Sequence, residues 1–372
     1  MDSFKIAHSD VKDAAEAVKS IKEQLSGIDA CLVLFFFSPT ESYSVDVIGK
    51  EIADAFPGVN TVGCTSAGEM ITGKMGKDSI VAMALGKETM QFLRIEVLEN
   101  LKADVAGAVD KAFKSFEKSL GGMPMSYLDP VKYAGMLFVD GLSGCEEELN
   151  DKIGDHTNVP FVGGSSGANV MFDSISLFFN GKRYADAAIL LLMRPTNGYT
   201  ILKTQSMVTT GKKLMPTKVD EKNREVIEFN GRPAAVVFAE MVGMPLEEFE
   251  KQNFGEYPLG LVFDEQHFFC RSPRKIEGTS VLCYCAVKEG LELTLLQPED
   301  IVEDTRADLQ KCGQVSAIID FNCAQRNWEL ERKNELQAYS DIFTGMPAIG
   351  WGTFGESYIG HMNQTSTMLI FY

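Results

Sequence analysis

The sequence predicts an α/β protein of two packed domains, with mixed β-sheets grown from repeated strand, helix, strand, glycine-turn, strand units. Three observations carry that expectation. The chain has 372 residues, room for two or three domains at roughly 100–200 residues each. Its 45% hydrophobic and 23% charged content is that of a globular protein and not of a disordered or fibrous one. A glycine-bearing segment also occurs three times, as Val59–Glu69, Val159–Asn169 and Met346–Glu356.

Residues 1–29 read as a lead-in helix. The first unit then runs from the apolar strand Cys31–Phe37 through a helically spaced Val45–Phe56 to the glycine segment and the strand Ser79–Leu85. In the second, Gly135–Val139 and the acid-rich Glu146–His156 precede the glycine segment, and Ile175–Phe179 turns through Asn180-Gly181 into Ala185–Met193. Asn-Gly between two such runs is a strong hairpin signal. The third unit has Val315–Phe321, Trp328–Phe343 and, after its glycines, Thr365–Tyr372. Aligned on their glycines, the copies place Glu69, Asn169 and Glu356 at one position. A change of character near residues 200–220 divides a domain over 30–215 from one over 216–372. The latter opens with a strand Val226–Phe229, a turn and a helix Ala234–Val242. Leu259–Cys270 and Thr279–Val287 read as paired strands around a loop over 271–278, followed by a strand Leu291–Leu296.

A net charge of −17 repels polyphosphate and anionic lipid, so nucleic-acid binding is not expected. The longest apolar runs, Ala30–Phe37 and Ala187–Met193, fall short of the ~20 residues of a spanning helix, so no membrane insertion is expected. No basic leader precedes an apolar block at the start, and the expected location is the cytoplasm. Eight scattered cysteines read as reduced thiols.

Gly350-x-Gly352-x-x-Gly355 matches a dinucleotide fingerprint in letters only. That fingerprint needs a helix, a strand and an acid after its glycines, and the chain turns directly into its last strand, so neither NAD nor flavin is expected. His267, Cys270, Cys283 and Cys285 lack the spacing of a zinc knuckle, and no metal is assigned to them. Cys323, just past a strand and three residues before Arg326, sits where α/β domains bind ligands. With His361 as base it could also be a nucleophile, which makes a cysteine-dependent transferase or hydrolase the alternative to a binding pocket. Of the other histidines, His8 is expected in solvent, His156 at a helix C-terminus, and His267 in a strand.

The segments Val62–Glu69 and Val162–Gly167 resemble the N-terminal half of FIST sensory proteins. Arg271-Ser272, the stretch from Asp320 to Arg326, Gly355-Glu356 and the stretch from His361 to Thr365 are similar to their FIST C domain. Asp320 and Asn322 depart from that pattern, which has an apolar and a small residue there. The resemblance implies a bacterial intracellular small-ligand sensor and not an enzyme, with no catalytic residues. Its signal would pass to a separate partner, a histidine kinase or a cyclic-di-GMP enzyme. Its ligand would be amino-acid-like or, in a haem-binding subset, nitric oxide. On that reading Arg271, Cys323, Arg326, Glu356, His361 and Asn363 form the ligand site, in the C-terminal domain or at the domain junction. Guanidinium groups would take a carboxylate, and Glu356 an ammonium. His361, beside Phe354 and Tyr358, would be the axial haem ligand, with Cys323 the competing donor.

Overall fold

The computed structural model describes residues 3–169, 171, 174–264 and 268–372. It is α/β with mixed sheets and divides into two compact units. The larger holds residues 1–204, 305–361 and 366–372, and the smaller holds 205–304 with 362–365. The expected division near 216 follows chain order, whereas these units do not. Residues 205–304 are interposed between the strand Tyr199–Thr204 and the third repeat, and most of 305–372 packs with the N-terminal residues.

Three six-stranded sheets with one common strand order make up the larger unit. In each, a lead-in strand pairs with the last strand of a repeat, which pairs with its first, which lies parallel to its second. For the first repeat these are Phe4–Ser9, Ile80–Gly86, Ala30–Phe37 and Asn60–Thr65. For the second they are Met90–Glu99, Ala187–Pro195, Ala134–Val139 and Phe161–Ser165. For the third they are Tyr199–Thr204, Ser366–Phe371, Ala317–Cys323 and Ala348–Thr353.

The remaining strands of each sheet come from another repeat, which the sequence pattern does not announce. After its glycine turn each repeat sends out a hairpin. The first repeat's, Glu69–Ile71 with Lys74–Gly76, adds to the third sheet. The second's, Leu177–Phe179 with Lys182–Tyr184, adds to the first sheet. The third's, beginning with Glu356–Tyr358, adds to the second. The Asn180-Gly181 turn has φ of +48° and +81°, as a two-residue hairpin requires. Register also revises the glycine alignment. Glu69 lies opposite Trp351, Glu356 opposite Gly164, and Leu177 opposite Cys64. The second repeat's counterpart of the two glutamates is thus Leu177, and Asn169 belongs to no strand.

Side-chain alternation sorts each sheet into two faces. Leu34 and Phe36, Met136 and Phe138, and Ile319, Phe321 and Trp351 meet in one central core. Trp351 stacks on Phe138 at 5.2 Å and lies 4.2 Å from Phe36. The opposite faces bury Phe35 and Phe37 with Ile48 of the helix Val45–Ala55, and Leu137 and Val139 with Leu149 of the helix Glu146–His156. Gly63, Gly163 and Gly350 lie against the backbone oxygens of Phe35, Leu137 and Asp320, where a Cβ would collide. They are required for that close approach.

Several expectations are corrected. The lead-in is a strand, Phe4–Ser9, followed by the helix Ala14–Gln24, and His8 is a half-buried member of that strand. The third repeat's helix starts directly after its strand, as Ala324–Lys333, and stops where Asn334 takes φ +59°. A second helix, Leu336–Asp341, follows. In the smaller unit Leu259–Val262 pairs antiparallel with Phe268–Arg271, so the stretch expected as one strand holds two paired strands. The expected loop over 271–278 contains the strand Pro273–Glu277, paired with Ser280–Cys283. The helix Ala234–Val242 packs Phe238 into this unit's core with Phe229 and Val281. His156 ends its helix as expected and meets Asp110 at 2.8 Å, while His267 lies outside the described residues. No described helix is long and apolar enough to cross a membrane.

Candidate functional site

The third repeat breaks the apolar rule that the other two obey. Parallel register makes Asp320 the counterpart of Phe35 and Leu137, and Asn322 the counterpart of Phe37 and Val139. Hydrocarbon faces the helices in the first two sheets, and an acid and an amide do so in the third, 0% and 1% exposed. Buried polar groups are tolerated only when hydrogen-bonded, and these two seed a network.

Asp320 Oδ2 accepts from Tyr339 at 3.0 Å and Oδ1 from Ser366 Oγ at 2.5 Å. Burial raises its carboxyl to about 6, against the lowering effect of those two hydrogen bonds and of Arg326. Asn322 Oδ1 accepts from Arg326 Nε at 2.8 Å, and its amide donates to Asn327 Oδ1 at 2.6 Å. Arg326 also donates to Thr305 Oγ1 at 2.9 Å, and its guanidinium lies 6.0 Å from the centre of the Tyr339 ring. Arg326 is 2% exposed, and a charge taken out of water needs such partners to offset its desolvation. Its position on the first turn of Ala324–Lys333, four residues after Asn322, aims it back over the strand end.

The network reaches solvent through Asn327. A cleft of about 120 Å³ is lined by Asn327, Glu331 and Leu336 from the third repeat's helices and by Ala67, Gly68 and Lys77 from the incoming hairpin segment. Gly352 admits the Asn327 side chain, which a Cβ there would strike.

The other expected residues are distributed as follows. Cys323 ends the strand and precedes the helix, 3% exposed. Glu356, fully buried, accepts a short hydrogen bond from Thr353 Oγ1. His361, 2% exposed, packs its imidazole on Gly355, where a Cβ would fall on the ring. These three share the larger unit with Arg326. Arg271 and Asn363 belong to the smaller unit, where Asn363 Oδ1 lies 2.9 Å from Cys285 Sγ and 3.4 Å from the Ser272 amide. Cys270, Cys283 and Cys285 are buried thiols there. Tyr339, Asn327, Thr305 and Ser366 were not singled out in the sequence. Their only signal is spatial, since Thr305 and Ser366 stand 21 and 46 residues from their partners.

Haem is the group the resemblance implies, and the donors fit it poorly. An axial imidazole must present a nitrogen to an open face, whereas the His361 ring is seated on Gly355. Cys323 is closed in at a strand end. The glycines of 350–355 are followed by the strand Glu356–Tyr358 and not by a phosphate-binding helix.

A FIST N domain matches residues 31–232 and a FIST C domain residues 234–358. An uncharacterized protein of Methanocaldococcus jannaschii is 20% identical over 325 residues, 83% of this chain and 60% of that protein. The chain therefore spans about three fifths of the curated relative it matches.

Proposed function

The chain belongs to the FIST family of small-ligand sensory proteins, and from that premise we propose that the third repeat is its sensing site. The ligand is a small, polar, amino-acid-like molecule that enters the cleft beside Asn327 and is read by the Arg326 network. One observation carries this reading: the third repeat buries Asp320 and Asn322, with Arg326 bonded to Asn322, where its two counterparts bury phenylalanine, leucine and valine. An apolar face would be more stable and easier to build, so a retained polar face that leads to a cleft fits a binding role. Output passes to a separate protein, a histidine kinase or a cyclic-di-GMP enzyme. A cysteine-dependent reaction at Cys323 is disfavoured because a nucleophile must be reachable by its substrate.

A thermal-shift screen of amino acids and related small molecules tests the site. A ligand that stabilises the wild type should lose at least tenfold in affinity with Asn327→Leu, which removes the amide lining the cleft without removing Arg326. A ligand that binds the Asn327→Leu and Arg326→Lys variants as tightly as the wild type would place the site elsewhere.

A further inference from the structure

We propose a second ligand site in the first repeat, a cleft under the 69–76 hairpin shaped for a small oxyanion such as a short carboxylate or phosphate. The threefold repetition first points there. Glu69 and Glu356 hold the same register position and are both buried, and five residues beyond each stands Lys74 or His361. In the second repeat Leu177 takes the glutamate's place.

The pocket exists as well as the equivalence. A cleft of about 100 Å³, the room of roughly three waters, is lined by His8, Asp10, Glu69, Lys74, Lys77 and Ser79. Gly76 borders it, and nothing lies within 4 Å of the Cβ position there.

The donors favour an anion. Lys74 pairs with Asp10 at 2.9 Å and Lys77 with Glu331 at 2.6 Å, but the lysine side chains are 53% and 35% exposed. Exposed pairs of this kind are weak, so both ammonium groups can turn to a bound oxyanion. His8 Nε2 is buried and meets no hydrogen-bond partner among the described residues. Burial and then the charge of Lys74 lower its pKa, and a neutral imidazole can still donate from Nε2. Glu69 forms the floor, and its oxygens already accept from Ser38, Ser66 and Ser79. Lys74 and Lys77 supply the positive charge that an oxyanion would take over from the Asp10 and Glu331 carboxylates.

With only four histidines in the chain, proton NMR of the imidazole Hε1 signals reports on the site directly, His8 being assigned through His8→Gln. Sodium acetate and inorganic phosphate, titrated separately at constant ionic strength, should shift the His8 signal to saturation while the His361 signal stays in place. Saturation by acetate alone identifies a carboxylate site, and by phosphate alone a phosphate site. Lys74→Gln should weaken binding tenfold or more, and Gly76→Val, which fills the cleft, should abolish it. The double variant of Lys74→Gln and Lys77→Gln decides the matter if Gly76→Val fails to fold. Asn327→Leu should leave this titration unchanged, which separates the result from the third-repeat reading. A shift linear in salt for both anions, or one undiminished in the cleft and lysine variants, overturns the proposal.

Discussion

Tyr339 donates its hydroxyl to Asp320 across 3.0 Å of fully buried space, in a layer that is hydrocarbon in both other repeats. The pair fixes a pH signature. Burial raises the Asp320 carboxyl from 3.8 to about 6, so the folded state holds a proton that the unfolded chain releases near pH 4. The stability this contributes is complete below about pH 4 and is lost as pH rises through 6. A shift of about two units is worth on the order of 3 kcal/mol. Asp320→Asn should remove that slope. Urea unfolding of the two proteins from pH 4 to 7 measures it, and parallel stability curves would show that Asp320 is not raised.

Glu69 predicts a similar loss at higher pH. Burial lifts its carboxyl from 4.5 to about 7, against the lowering effect of hydrogen bonds from Ser66, Ser38 and Ser79. Stability is therefore complete below about pH 4.5 and lost through 7. Glu69→Gln should fold, because an amide can take the Oε1 place, where Ser38 and Ser66 hydroxyls can rotate to accept. Its unfolding midpoint should fall less than that of the wild type between pH 5 and 7.5. An equal fall in both proteins would count against the assignment.

The repeats were legible in the sequence because their glycines are backbone requirements. Gly63, Gly163 and Gly350 each lie against a carbonyl of the neighbouring strand, and this recurs as letters. The hairpin exchange was not legible. A strand of three residues, such as Glu69–Ile71, carries no sign of which sheet receives it, and register is set by partners far away in sequence. That is also why Asn169 aligned with Glu69 by spacing while Leu177 occupies the place in space. Of the expected site, Cys323, Arg326, Glu356 and His361 were named from motifs. The departure at Asp320 and Asn322 was visible in the sequence, but its meaning needed Tyr339, Ser366 and Thr305, which only folding brings to it.

The seat of His361 on Gly355 makes a prediction about haem. Hemin at equal stoichiometry should give no sharp Soret band, because axial ligation would require the ring to leave the glycine. Gly355→Ala, at φ +129° and with its methyl directed at the imidazole, should destabilise the fold by more than about 1 kcal/mol. A wild-type Soret band that shifts with nitric oxide and disappears in His361→Ala would show the opposite, that the ring swings out and binds iron.

Thiol reactivity separates a sensor from a cysteine enzyme. Cys31, Cys145 and Cys312 are half-buried, while Cys64, Cys270, Cys283, Cys285 and Cys323 are buried. Burial raises the Cys31 and Cys145 thiols to about 11, raises Cys312, and lifts Cys283 to about 12. Since the thiolate is the reactive form, iodoacetamide at pH 7.5 should modify the folded protein slowly, reaching the three half-buried sites first. Cys323, 3% exposed, should label only on unfolding. Peptide mass analysis over a time course follows each site. If Cys323 instead labels ahead of the others in the native protein and is slowed by His361→Ala, an activated nucleophile is present, and the transferase or hydrolase reading displaces the sensor.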